Sequence, residues 1–406
     1  MSLIENLKLF KRYLNCFFDS LFSFPCMAGI YIHIPFCKQA CSYCDFYFIT
    51  RKKLIDPFVD SLIKEIQSYR GTPYSNENIE TIYLGGGTPS QLSPDQLKRI
   101  FDALEESFFL QPVEVTMEMN PDDVTPDYLK SLSDLGINRA SMGVQSFNEK
   151  LLKFMHRAHT KSEALKALES LQTAGFPTFT ADLIYGNPGQ TLEMLDDDIS
   201  QLLQFDPPHI SAYSLTVEPQ TRLGKQVKLG RISPPEDELV AEHFDLISER
   251  FSSAGIERYE VSNFSKPGKE ALHNSNYWKH ENYLGLGPSA HSFWFLDDGG
   301  GLRWENQSDI KKYMDDLSDE ISTEPEKLSM FSLAEERLML GLRTKWGVEF
   351  DELKTRYNYK LNRKQESWME YQKEQGMLKT DGNVLRFTSE GLKIADLLIV
   401  DLLSKS

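Results

Sequence analysis

Residues 29–46 read GIYIHIPFCKQACSYCDF, and the fold turns on this stretch. Ile30, Ile32 and Ile34 recur at every second position. A β-branched residue at period two is the mark of a strand with one face packed on a core. Pro35 stops the run, and Cys37, Cys41 and Cys44 follow in the spacing Cx3Cx2C. Three thiolates so close in sequence can wrap one small inorganic centre. A structural zinc site asks for four ligands. No fourth cysteine follows, and His33 lies back inside the strand. A cluster of four irons held by three cysteines leaves one iron open to the N and O atoms of a ligand.

Working outward, strand-like and helix-like patterns alternate. Strands are expected at 29–34, 79–84, 113–119, 137–142, 178–184 and 209–215. Helices are expected at 55–70, 94–108, 125–135, 147–155 with 161–174, and 191–204, with Pro94, Pro126 and Ser, Thr or Asp near their starts. Six β/α repeats imply a parallel sheet with right-handed crossovers, as an open doubly wound sheet or a barrel. Glycines and polar residues follow nearly every strand, where a barrel would gather them at one face.

Beyond about residue 217 the pattern changes. We expect a helix at 236–254, a strand at 256–262, a polar and aromatic loop at 268–295 and a flexible tip at 297–301 (DDGGG). Helical patterns at 331–344 and 361–376 precede a hairpin at Asp381-Gly382-Asn383 and a last helix at 389–403. Helices, a hairpin and a helix resemble a small winged-helix-like domain. Its near-neutral charge favours a docking or lid role over DNA binding.

Composition narrows the function. With 44 basic and 60 acidic residues the chain carries a formal charge of −16. Such a balance argues against a general nucleic-acid binder and suits a cytoplasmic protein. All five cysteines fall within the first 44 residues, which is not a disulfide framework and implies a reducing compartment. The aromatic stretch 13–27 (YLNCFFDSLFSFPCM) follows Lys8, Lys11 and Arg12 but is interrupted by Asn15 and Asp19. It is too short and broken to span a bilayer. We read residues 1–26 as a dispensable extension ahead of Met27, with transient membrane association as its one further use.

The motifs YIHIPFCxxxCxYCDF, GGGTPS (85–90), GVQSF (143–147) and DLIYGxPGQT (182–191) together resemble the radical S-adenosylmethionine superfamily. More narrowly they are similar to the oxygen-independent coproporphyrinogen III oxidase group. The resemblance runs from about Tyr31 into the C-terminal region. It implies a partial (β/α)6 barrel over residues 27–325 and a small C-terminal domain over 326–406. It implies a [4Fe-4S] cluster on Cys37, Cys41 and Cys44, with S-adenosylmethionine on its open iron. One electron into the sulfonium then breaks a C–S bond, so an electron donor such as flavodoxin or ferredoxin is expected. By the same resemblance Tyr31, Tyr43, Gly86, Gly87, Thr88, Glu118, Gln145, Arg157 and Asp182 are cofactor-binding. The residues agree in part. Glycines admit close backbone approach, and successive strands deliver polar groups to one face.

Two details separate branches of the group. Its oxidases carry another cysteine two residues after the third ligand, where this chain has Phe46. His273-Asn274-x-x-Tyr277-Trp278 resembles the heme-chaperone branch instead. A neutral imidazole is a good axial ligand to heme iron, and aromatic rings can pack a porphyrin face. His273, Tyr277 and Trp278 are therefore heme candidates, with His33 and His291 as alternative ligands. The branch implies heme delivery to apo-hemoproteins, with a homodimer as one arrangement. The alternative reading is oxidative decarboxylation of coproporphyrinogen III.

Overall fold

The structure, a computed structural model, describes residues 28–297, 299–315 and 323–406. The extension 1–26 lies outside these residues. Six parallel strands form the central sheet: β1 (Ala28–Ile34), β2 (Asn78–Gly86), β3 (Phe109–Met119), β4 (Arg139–Gln145), β5 (Thr178–Tyr185) and β6 (His209–Ser214). They pair in sequential order. A doubly wound sheet would reverse direction at its first strand, so the sequential order selects the barrel type. The free edge of β1 pairs with a later strand rather than with β6, which leaves the cylinder open. The result is a partial (β/α)6 barrel.

Helices α1 (Ile55–Ser68), α2 (Pro94–Ser107), α3 (Pro126–Asp134), α4 (Glu149–Phe154), α5 (Lys161–Thr173) and α6 (Leu192–Leu203) connect the strands. Their starts were legible because the caps are local. Ser93 with Gln96 and Thr160 with Glu163 form capping boxes, and Thr125, Asn148 and Thr191 accept first-turn N–H bonds. Ile30, Ile32 and Ile34 are fully buried in the main core.

After β6 come α7 (Arg222–Lys228), α8 (Asp237–Ser253), β7 (Glu257–Arg258) and β8 (Asn263–Ser265). The expected strand at 256–262 shrinks to the two residues of β7. The expected loop at 268–295 is instead α9 (Leu272–Trp278), β9 (Asn282–Leu286) and β10 (His291–Phe295). β9 runs parallel to β1, from Ala28 opposite Asn282 to Ile32 opposite Leu286. A Cβ on Gly285 would fall 2.1 Å from the His291 carbonyl oxygen, so this glycine serves close packing within the sheet. β11 (Gly301–Glu305), α10 (Ile310–Asp315) and β12 (Glu326–Leu328) complete the extension. The expected tip at 297–301 turns β10 into β11, with Leu296 N–H donating to Gly300 O at 3.1 Å; Asp298 lies outside the described residues.

The C-terminal part comprises α11 (Met330–Gly341), β13 (Val348–Glu349), α12 (Phe350–Arg356), α13 (Arg363–Glu374), β14 (Leu378–Asp381), β15 (Val384–Phe387), α14 (Ser389–Lys393) and α15 (Ala395–Leu403). The hairpin at Gly382 is present. The single helix expected at 389–403 breaks at Ile394, which leaves helical geometry at φ −123° and ψ 29°. A second core forms here around Leu338, Trp368, Leu385 and Ile399, and it includes Phe293 and Leu328 from the barrel side. Among the described residues no helix is long and apolar enough to cross a membrane.

Candidate functional site

The cysteine loop leaves β1 and is pinned from several sides. Cys37 N–H donates to Ile49 O at 2.9 Å, closing the loop on itself. Ser42 bonds the C-terminal end of α4, through its N–H to Met155 O and its hydroxyl to Phe154 O, both at 3.0 Å. Lys38 Nζ pairs with Asp122 at 2.7 Å and also with Asp123. Gln39 donates to His156 O at 2.8 Å. The loop is thus held by bonds that do not use the three thiols.

Cys37, Cys41 and Cys44 are free, half-buried thiols, and all three line one cavity of about 460 Å³. Burial pushes the Cys37 thiol up to about 11 and the Cys44 thiol to about 12. Enclosed thiols ionise once a cation compensates the buried charge. Among the described residues no three His, Cys, Asp or Glu side chains form a site for a single metal ion. Three soft thiols on one cavity, without a fourth donor, fit an iron–sulfur cluster with an open iron better than they fit zinc.

The cavity lies at the C-terminal ends of the strands. It gathers Tyr43, Gly86, Gly87, Thr88, Glu118, Gln145, Arg157 and Asp182 with the cysteines. Thr88 Oγ1 reaches Cys37 Sγ and Arg157 Nη1 reaches Cys41 Sγ, each at 3.5 Å. Arg157 is further held by Asn120 Oδ1 at 2.7 Å and Gly143 O at 2.9 Å. Glu118 accepts from Tyr83 OH at 2.8 Å and from Gly86 N–H at 3.1 Å. Asp182 accepts from Ser141 Oγ at 3.2 Å. Burial raises Glu118 to about 7 and Asp182 to about 6, and the Asp182 charge adds to the Glu118 shift. Gln145 Oε1 and Arg157 Nε are enclosed without partners. Orphaned buried groups of this kind call for a polar ligand. A zwitterion with a sulfonium and a ribose fits, because carboxylates, a guanidinium and an amide converge on one volume.

Gly86 and Gly87 are required by chain packing. A Cβ on Gly86, at φ +102°, would meet the His33 ring at 2.4 Å, and one on Gly87 would meet Ile34 O at 2.7 Å. Their first duty is to let β2 turn close against β1. Tyr31 does not line the cavity; its hydroxyl bonds His33 Nδ1 at 3.1 Å beside it. Tyr83, Asn120, Ser141 and Tyr213 do line it, and sequence reasoning missed them. Strand alternation was the available signal for Tyr83, two residues before Gly85 on the face that looks inward.

The heme candidates sit elsewhere. α9 seats at the opposite end of the strands, where the Glu114 carboxylate accepts Leu272 and His273 N–H at 3.0 and 2.9 Å. The buried His273 bonds Thr81 Oγ1 through Nδ1 and Tyr277 OH through Nε2, each at 2.8 Å. Its ring stacks on Tyr83 at 5.2 Å, and burial lowers its pKa to about 3. Gly29 makes room, since a Cβ there would lie 3.1 Å from the imidazole. Trp278 is half-buried, and its carbonyl accepts from Arg337 at 3.5 Å. None of His273, Tyr277 and Trp278 lines the cavity. Both His273 nitrogens are engaged, contrary to an open axial ligand. Of the alternatives, His33 is also bonded through both nitrogens, whereas His291 is exposed beside Glu305.

Comparison with known proteins agrees with this architecture. The Radical SAM superfamily model matches residues 31–202, and the HemN C-terminal domain model matches 332–394. Heme chaperone HemW of Lactococcus lactis is 36% identical over 368 residues, covering 90% of this chain and 94% of the relative. The Bos taurus protein named radical S-adenosyl methionine domain-containing protein 1, mitochondrial, is 32% identical, covering 93% and 88%. The solved coproporphyrinogen III oxidase HemN of Escherichia coli superposes with a TM-score of 0.80 at 20% identity, covering 96% of this chain and 93% of that one. That last likeness shows the fold. The chain belongs to the radical SAM superfamily and, within its HemN-like group, to the family of the heme chaperone HemW.

Proposed function

We propose that this protein binds heme and delivers it to apo-hemoproteins, and that its barrel cavity holds a [4Fe-4S] cluster and S-adenosylmethionine. The observation that carries the reading is the match, over 90% of the chain, to a relative named for heme chaperoning. Phe46 supports it over the oxidase reading: an exposed phenylalanine at the cavity mouth stands where the resemblance places an oxidase cysteine.

Cys37, Cys41 and Cys44 would hold the cluster. Arg157 would meet the cofactor carboxylate, Glu118 and Asp182 its hydroxyls or amino group, and the Gln145 amide its remaining polar edge. When bound, the cluster and S-adenosylmethionine supply reductive cleavage of a C–S bond. The electron would come from an external donor of the flavodoxin or ferredoxin class. We divide the chain into the barrel with its extension (27–325) and a C-terminal docking domain (326–406). His273 can ligate heme once one of its two ring-nitrogen bonds, to Thr81 or to Tyr277, is given up. His291 needs no such step.

Heme titration followed by absorption spectroscopy, with the anaerobically reconstituted protein, tests the reading. We expect a saturable heme band, its transfer to an added apo-hemoprotein, and about four irons per chain that Cys37→Ala loses. The same titration on His273→Ala and His291→Ala identifies the ligand by which variant loses the band. A wild type without saturable heme binding, or one that turns coproporphyrinogen III into a divinyl product, would overturn the proposal.

A further inference from the structure

Gln145 ends β4 in the left-handed region, at φ +65°, a conformation that residues with a Cβ avoid. The turn is tight, with Ser146 N–H donating to Val144 O at 2.8 Å. The β4–β5 register shifts between Met142 and Gln145. This distortion aims Gln145 into the cavity, where its Oε1 is enclosed without a partner. A left-handed, bulged glutamine persists only where the surroundings impose it.

The imposing group comes from another element. Asp198 lies on α6, behind the sheet and 1% exposed. Its Oδ2 accepts from Ser146 Oγ at 2.6 Å and its Oδ1 from Phe147 N–H at 2.7 Å. Ser146 Oγ in turn accepts Asn148 N–H at 3.0 Å. From the other side His159 Nε2 bonds Val144 O at 3.0 Å. One carboxylate therefore fixes the two residues that follow Gln145. Burial raises Asp198 to about 6, so the contact is held at a cost in ionisation. Removing such a carboxylate would leave its buried donors without an acceptor.

We propose that Asp198 is a positioning residue, which locks the 144–147 turn and so presents the Gln145 amide to the ligand of the cavity. The inference rests on reading that cavity as the S-adenosylmethionine site. An asparagine at 198 accepts from one of the two donors rather than both, and an alanine from neither.

The test uses the full chain with its cluster reconstituted. Equilibrium dialysis measures S-adenosylmethionine affinity in wild type, Gln145→Ala, Asp198→Asn, Asp198→Ala and the Gln145→Ala/Asp198→Ala double variant. We expect Asp198→Ala to weaken binding at least about tenfold with iron content unchanged. Asp198→Asn should fall between it and wild type, and the double variant should be no weaker than Gln145→Ala. Hydrogen exchange at the Phe147 amide should accelerate in both Asp198 variants. Ser146→Ala, which removes one donor and no charge, gives the same ordering if Asp198→Ala fails to fold. Wild-type affinity in Asp198→Asn and Ser146→Ala, fully additive losses, or unchanged Phe147 exchange would each overturn the inference. A reconstituted wild type that binds no S-adenosylmethionine would instead overturn the reading of the cavity. The exchange result still decides whether Asp198 locks the turn.

Discussion

Glu118 and Asp182 meet in one cavity and hold their protons to about 7 and about 6. The groups facing them are Tyr83, Arg157 and Arg139, with Ser141 and Ser211 as neutral donors. Protonation removes acceptors that a ribose or an ammonium would use. S-adenosylmethionine should therefore bind more weakly at pH 6 than at pH 8, and Glu118→Gln should flatten that dependence, as followed by dialysis across the range. Stability runs the other way. Each carboxyl has a higher pKa folded than unfolded, so the folded chain takes up protons and gains stability as pH falls toward 5. Glu118 and Gln145 stood out because they lie at the ends of β3 and β4, where polar groups have few structural excuses. The left-handed φ of Gln145 and the engaged nitrogens of His273 were not readable, since both depend on partners far along the chain.

At the scale of elements, α1 shows how the barrel is bound to its extension. Glu65 on α1 is buried; it accepts Gly287 N–H at 2.8 Å, Asn306 Nδ2 at 2.6 Å and Tyr313 OH at 2.5 Å. Burial lifts it to about 7. These bonds tie α1 to the β9–β10 turn, the end of β11 and α10. Glu65→Ala strands three donors in the core and should cost about 3 kcal/mol, read as a lower urea midpoint. Glu65→Gln keeps an acceptor and should cost less. Amphipathic helices with local caps were legible, as α2 and α5 illustrate. α9 and β9 were not, because His, Asn and Gly in series carry no periodicity and take their structure from β1 and β2.

Across the whole molecule, the two cores share a seam. Phe293 and Leu328 from the barrel side belong to the C-terminal core, and the His280 ring lies between Phe293 and Tyr357 at 4.6 and 5.9 Å. Arg356 donates to His280 O at 3.2 Å, and Lys345 pairs with Glu270 at 2.6 Å. The C-terminal part is thus seated on the residues that flank α9 on both sides. A chain ending at Leu328 would expose this apolar seam, and we expect it to elute as aggregates in size-exclusion chromatography while the full chain does not. The expectation of a small docking unit in this region rested on helices and a hairpin. Where that unit docks is a property of the seam.

The cysteine spacing and the six β/α repeats were set by the order of residues alone, because each rests on spacing or on bonds within a few residues, whereas the strand-end cofactor residues were named through the family resemblance. The tertiary structure decided what needs long-range closure: the open cylinder, the strands added beside β1, and the burial that shifts Glu118, Asp182 and His273. It also decided which side chains reach the cavity, leaving Tyr31 and His273 outside and bringing Tyr83 in. Local patterns encode elements. Desolvation, strand register and hydrogen bonds between distant residues exist only after those elements pack.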